Sequence, residues 1–132
     1  MALFGIIIAV ALIYVIEMIG HNIYPPPPDT DLTDPEALGM LLAGAPIGAL
    51  LFVILAYVIA VFGGGLLAAL IARETPTRYV WTVGGFVLLG TVANLFMIPH
   101  PAWFVITAIA CIVVAIMVTG RVANNLVEQR ER

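Results

Sequence analysis

Glu17, His21, Asn94 and His100 are the residues of this 132-residue chain best suited to chemistry. A carboxylate and an imidazole four residues apart share one helix face. There they can hydrogen-bond, hold a metal ion together or pass a proton. Glu17 is the one ionisable residue clearly inside a long apolar run. Such a group costs roughly 2.5–3.5 kcal/mol near a bilayer centre and less near an interface. Asn94 and His100 sit at the end of another apolar run. If those two run ends meet, the four residues form one polar pocket. Glu17, His21 and His100 are then candidate ligands for zinc or another divalent ion. His21 and His100 could instead hold haem iron from opposite sides. Neither a His-Glu-x-x-His nor a Cys-x-x-Cys-His motif is present to sharpen the choice, and no residue reads as catalytic. A structural use is the plainer reading. The histidines can bond to carbonyls freed by the neighbouring prolines, and Glu17 can tie its helix to Asn94.

The elements that must position these residues follow from composition. The chain is 63% hydrophobic and 10% charged, against about 45–50% and 25% in soluble domains. Too little polar surface exists to face water, so the solvent is lipid. Net charge is −3, which excludes nucleic acid as a partner, since that needs a basic face. The single cysteine, Cys111, excludes a disulfide framework and a cysteine-cluster metal site. Apolar runs at residues 2–20, 46–72, 79–97 and 102–120 each reach the length of about 20 residues that spans a bilayer. The first lacks a basic start and a small-residue exit, so it reads as an uncleaved span rather than a signal peptide. Fold class is therefore all-α: an integral membrane protein with four transmembrane helices in an up-down bundle, one domain over residues 1–132.

Arginine sets the orientation. Arg73 and Arg78 lie between the second and third runs, and Arg121, Arg130 and Arg132 follow the fourth. The other connections carry no lysine or arginine. Positive residues stay in the cytoplasm, so both termini are cytoplasmic. The loop at residues 21–45 then lies on the periplasmic side. Tyr79 and Trp81 mark the cytoplasmic interface, and Tyr24 and Trp103 the periplasmic one.

That loop opens with Pro25, Pro26, Pro27 and Pro28, which favour a stiff polyproline II rod. Thr33 and Glu36 have capping-box spacing, with Pro35 in the first turn. A short interfacial helix is expected from Asp34 to Ala43, with Leu38, Leu41 and Leu42 on its apolar side. The acidic group Asp29, Asp31, Asp34 and Glu36 reads as a solvated, capped loop.

Within the second run, Ala56, Ala60, Gly64, Ala68 and Ala72 repeat every four residues. Lipid supplies no hydrophobic drive between helices, so a strip of small residues signals close backbone approach. The approach is either within the chain or between subunits. Gly84, Gly85 and Gly90 give the third run a similar character.

The segments Glu17-Met18-Ile19-Gly20-His21 with Tyr24-Pro25, Asp34-Pro35-Glu36-Ala37-Leu38, and Asn94 through Trp103 resemble an uncharacterised family of small four-helix bacterial inner-membrane proteins. The resemblance covers nearly the whole chain. It implies a bacterial inner-membrane location and transfers no catalytic role. The expected function is a non-enzymatic interaction or small-solute-passage subunit with a periplasm-facing pocket. Metal or haem binding is the alternative. The expected partners are the lipid bilayer and other subunits, either copies of this chain or different membrane proteins.

All five arginines fall on one side of this topology. Cysteines introduced at Thr30 and at Gln129 should therefore label from opposite faces of the membrane. Labelling of both from the periplasm alone would contradict it.

Overall fold

The computed structural model describes residues 1–132 as five helices and no strands. They are α1 (Ala2–Ile23), α2 (Pro35–Ala43), α3 (Ile47–Ala72), α4 (Pro76–Met97) and α5 (Ala102–Glu131). All but α2 are long and apolar enough to cross a membrane. Bulky side chains such as Leu3, Leu89, Phe96 and Ile106 are exposed at 70%, 72%, 87% and 71%. A water-soluble monomer rarely shows so much apolar surface, whereas lipid covers it at no cost.

The helices alternate in direction, as the short connections require. They are not equivalent, however. Helix α3 packs against α1, α4 and α5, and α4 packs against α5. Helix α1 touches α3 along its length and α4 only slightly. The bundle is therefore a three-helix core with α1 laid along it. Only Gly5, Ala9 and Gly20 of α1 are buried.

Small residues decide where α1 sits. Ala56, Ala60, Gly64 and Ala68 are all buried. A Cβ added at Gly64 would collide with the Gly5 carbonyl oxygen and come within 2.9 Å of the Ala9 Cβ. A Cβ added at Gly5 would meet Ala68 Cβ and the Gly64 carbonyl oxygen at 2.7 Å. The two backbones thus touch here, and the strip serves a contact within the chain. Near the other end of α1 the spacing is set by side chains. Gly20 faces the Phe52 ring, and Gly48 makes room for the Tyr24 hydroxyl. On α4 only Gly84 is used for packing, against Ile116 of α5. Gly85 and Gly90 have nothing within 4 Å, so they do not share the role expected of all three.

Several boundaries differ from the sequence expectation. Helix α5 runs past Gly120 to Glu131. Arg121 ends the apolar run, but Ala123 and Val127 continue the buried face at helical spacing. The extension is pinned by Thr77 Oγ1, which donates to Asn124 Oδ1 at 2.8 Å. Thirty residues make about 45 Å of helix, more than a hydrocarbon core of about 30 Å. The first turn of α2 is capped by Asp34, whose side chain accepts from the Glu36 N–H at 3.1 Å. Thr33 is not the cap, because its hydroxyl is already held by Asp31. The polyproline stretch is shorter than four residues, since Thr30 N–H bonds back to Pro27 O and turns the chain at Pro28-Asp29. Arg73 caps α3 with φ 64°, a left-handed position that favours glycine.

Overpacking at a close contact costs about 1–3 kcal/mol. Gly64→Leu should therefore lower the melting temperature by about 5–10 °C. Gly90→Ala, in open space, should leave it unchanged or raise it, since alanine is the better helix former. A thermal melt in detergent checks both. Equal effects at the two positions would show that Gly64 faces lipid.

Candidate functional site

One end of the bundle carries Glu17, Asp29, Asp31, Asp34 and Glu36 and no arginine or lysine. The other carries all five arginines, with Glu74, Glu128 and Glu131. At the acidic end a partly open cavity of about 610 Å³ lies between α1, α3 and the loop that contains α2. Glu17, His21, Asn94 and His100 all line it. The lining is nevertheless mostly apolar, with 13 hydrophobic residues among 23. This is a greasy chamber with a few polar groups, not an aqueous channel.

Each wall has a local cause. Glu17 and His21 lie one turn apart on α1, with Gly20 between them pressed against Phe52. The Tyr24 and Phe52 rings meet edge to face, centroids 6.1 Å apart, and brace α1 against α3. Asn94 comes from the last turn of α4. The roof is α2. Leu38, Leu41 and Leu42 line the cavity, while Met40 on the opposite side is 74% exposed. The apolar side expected to rest in a membrane interface therefore covers the chamber. No residue of α2 is fully buried, so the roof is held lightly. Next to it, Asp31 Oδ1 accepts from the Thr33 hydroxyl at 2.6 Å and from the Thr33 N–H at 2.9 Å. This turn holds Leu32 in the wall.

The polar floor is larger than the four residues picked from sequence. Tyr57 of α3 also lines the cavity and is 7% exposed. Its hydroxyl faces Asn94 and Thr91 of α4, and Glu17 is near enough to act on it through space. Thr91 Oγ1 donates to Val87 O at 2.8 Å, so it has only lone pairs to offer Tyr57. Tyr57 is the sole side chain with a polar group between Ile47 and Ala72, and that was the available signal. Thr91 carried none, being one of several threonines in α4.

The candidate metal ligands share the chamber but do not form a set. No three His, Cys, Asp or Glu side chains come together in a group that could hold a metal ion. His100 Nδ1–H donates to Ile98 O at 2.6 Å, and its ring stacks on Phe104 of α5, centroids 5.1 Å apart and 17° from parallel. These contacts fix the His100 ring against α5. His21 is exposed and electrostatically coupled to Glu17. Neither Glu17 nor His21 takes part in the side-chain hydrogen bonds of the chain, which involve Asp31, Thr33, Asp34, Thr77, Thr82, Thr91, His100 and Asn124. The only buried side-chain oxygen without a partner is that of Thr119, which packs beside Gly65. The Glu17 oxygens are therefore not sealed into the bundle, and the carboxylate opens on the chamber.

Comparison of the chain with protein-family models, curated proteins and solved structures finds no match. The reading of this site rests on its own geometry.

The Thr33 hydroxyl, and after it the Thr33 N–H, hold the Asp31 carboxyl below the usual aspartate range. The loop support from this turn is complete above that range and is lost as pH falls through the lowered value. Thr33→Val should return the Asp31 titration, followed by carboxyl-carbon NMR, toward the ordinary range. An unchanged midpoint would show that the hydroxyl is not the cause.

Proposed function

We propose that this chain is a small multi-pass protein of the bacterial inner membrane that binds a small molecule and performs no catalysis. Both termini are cytoplasmic in this reading, and the chamber faces the periplasm. The lipid bilayer is its first partner, and it serves as a binding or passage subunit beside copies of itself or other membrane proteins.

The observation that carries the proposal is the chamber itself. It is about 610 Å³, lined chiefly by apolar groups, with Glu17, Tyr57 and Asn94 set into it. Small-molecule sites have this form: a concave, mostly apolar volume of about 300–1,000 Å³ with a few placed polar groups. The division of charge supports the orientation, because the arginine end suits the cytoplasm. A metal ion held jointly by Glu17, His21 and His100 draws no support, since no three such side chains gather into one group.

Ala49 lines the chamber from α3. Native mass spectrometry of the protein extracted from membranes should find a small non-protein mass bound to the parent chain. Ala49→Trp fills the chamber and should abolish it. If parent and variant carry the same adducts, or neither carries any, the binding reading fails.

A further inference from the structure

Three features of the chamber narrow its ligand. The first is an unpartnered carboxylate. Glu17 is set among apolar walls, opens on the cavity and takes part in no side-chain hydrogen bond or ion pair. The coupled His21 is exposed and makes no bond to it. A carboxylate in poor solvent is stabilised by a donor or a positive charge brought to it. The second feature is the aromatic wall. Tyr24, Phe52 and Tyr57 all face the same chamber, and ring faces attract cations, above all when water is excluded. The third is the field. The acidic end has five carboxylates and neither arginine nor lysine. A cleft surrounded by one sign of charge concentrates the opposite ion at its mouth. An anionic ligand would meet repulsion on approach and the Glu17 carboxylate at the floor.

Size and lining separate organic cations from metal ions. A bare metal ion needs a close cage of oxygen or nitrogen donors, and none is built here. A chamber of about 610 Å³ with 13 hydrophobic residues in its lining has room for an alkyl chain. Leu41 and its neighbours on α2 supply the surface to cover one.

We infer that the chamber binds a monocationic amphiphile: an ammonium head on the Glu17 carboxylate within the aromatic wall, with a short aliphatic portion under α2. This rests on the binding reading given above and names its ligand class. Helix α2 then closes over the aliphatic part. In this arrangement the ligand's charge, and not its apolar surface alone, decides selection.

The experiment uses the full chain in nanodiscs of neutral phosphatidylcholine, with three water-soluble probes of equal chain length. These are hexyltrimethylammonium, hexanesulfonate and hexanol, titrated calorimetrically. The ammonium probe should bind saturably, and the sulfonate should not. Glu17→Gln keeps the shape of the side chain and should weaken the ammonium probe by about tenfold or more, the scale of a lost charged contact. Its effect on hexanol should be small. Tyr57→Phe, which keeps the ring, should retain ammonium binding. Sulfonate binding equal to that of ammonium would overturn the inference, as would a Glu17→Gln variant that binds ammonium like the parent. Binding of hexanol or sulfonate without ammonium would leave a binding chamber but contradict its cationic class. Failure of all three probes, with the parent chain folded and monodisperse, would remove the chamber reading and this inference together.

Discussion

The contact between the α1 and α3 backbones at Gly5, Ala9, Gly64 and Ala68 determines the rest of the structure. Lipid tails are as apolar as leucine, so helices in a membrane gain nothing by hiding apolar surface from water. What remains is dispersion at close range and the shape that permits it. Helix α1 has only three buried residues, and all are glycine or alanine. It has no hydrogen-bonded side chain to hold it to the core. Without the small-residue seam only the Gly20–Phe52 and Tyr24 contacts at its far end would hold its rotation, and the position of Glu17 and His21 beside α3 would be weakly fixed.

The same seam explains why a chamber exists at the opposite end of α1. Where glycine meets glycine the helices touch. Where Gly20 meets Phe52, and Gly48 meets Tyr24, rings stand between the backbones. The polar floor lies beside these spacers, and the loop carrying α2 covers it. At the arginine end the logic differs. There α4 and α5 are joined by the Thr77–Asn124 bond, and α5 continues as a single long helix. One end of the molecule is tied together by packing and a hydrogen bond. The other is held open by aromatic side chains under a lightly held roof. The acidic charges lie at the open end.

Much of this was legible from residue order alone. The four apolar runs, the arginine asymmetry and the four-residue spacing of Ala56, Ala60, Gly64 and Ala68 each state a physical requirement directly. So did the placement of Glu17, His21, Asn94 and His100 at one end, because alternating spans fix depth. What sequence could not supply was the partner across each gap. Gly64 and Gly90 are the same residue in similar runs, yet one meets a carbonyl oxygen and the other open space. Leu38, Leu41 and Leu42 define an apolar face without saying whether lipid or a cavity lies beneath it. Tyr57 reads as apolar filler until Asn94 and Thr91 are seen opposite. Thr33 and Asp34 compete for one cap, and the neighbouring Asp31 decides between them by taking the threonine hydroxyl. Nor does residue order show that Glu17, His21 and His100 share one chamber without gathering into a three-ligand metal group.

The most direct test of this account is a cross-link between α1 and α3 that leaves the seam itself intact. Gly20→Cys and Phe52→Cys, combined with Cys111→Ala, place two thiols across the α1–α3 contact. A Cβ at Gly20 lies 3.2 Å from that of Phe52, and a slight outward shift gives the separation of about 3.5–4.5 Å that a disulfide needs. Mild oxidation in membranes should give a near-complete intrachain disulfide, seen as a mobility shift of the monomer on a non-reducing gel that reverses on reduction. Absence of any cross-link, or a disulfide-linked dimer in its place, would mean that α1 does not lie on the α3 strip within the chain. The position assigned to Glu17 would then be wrong.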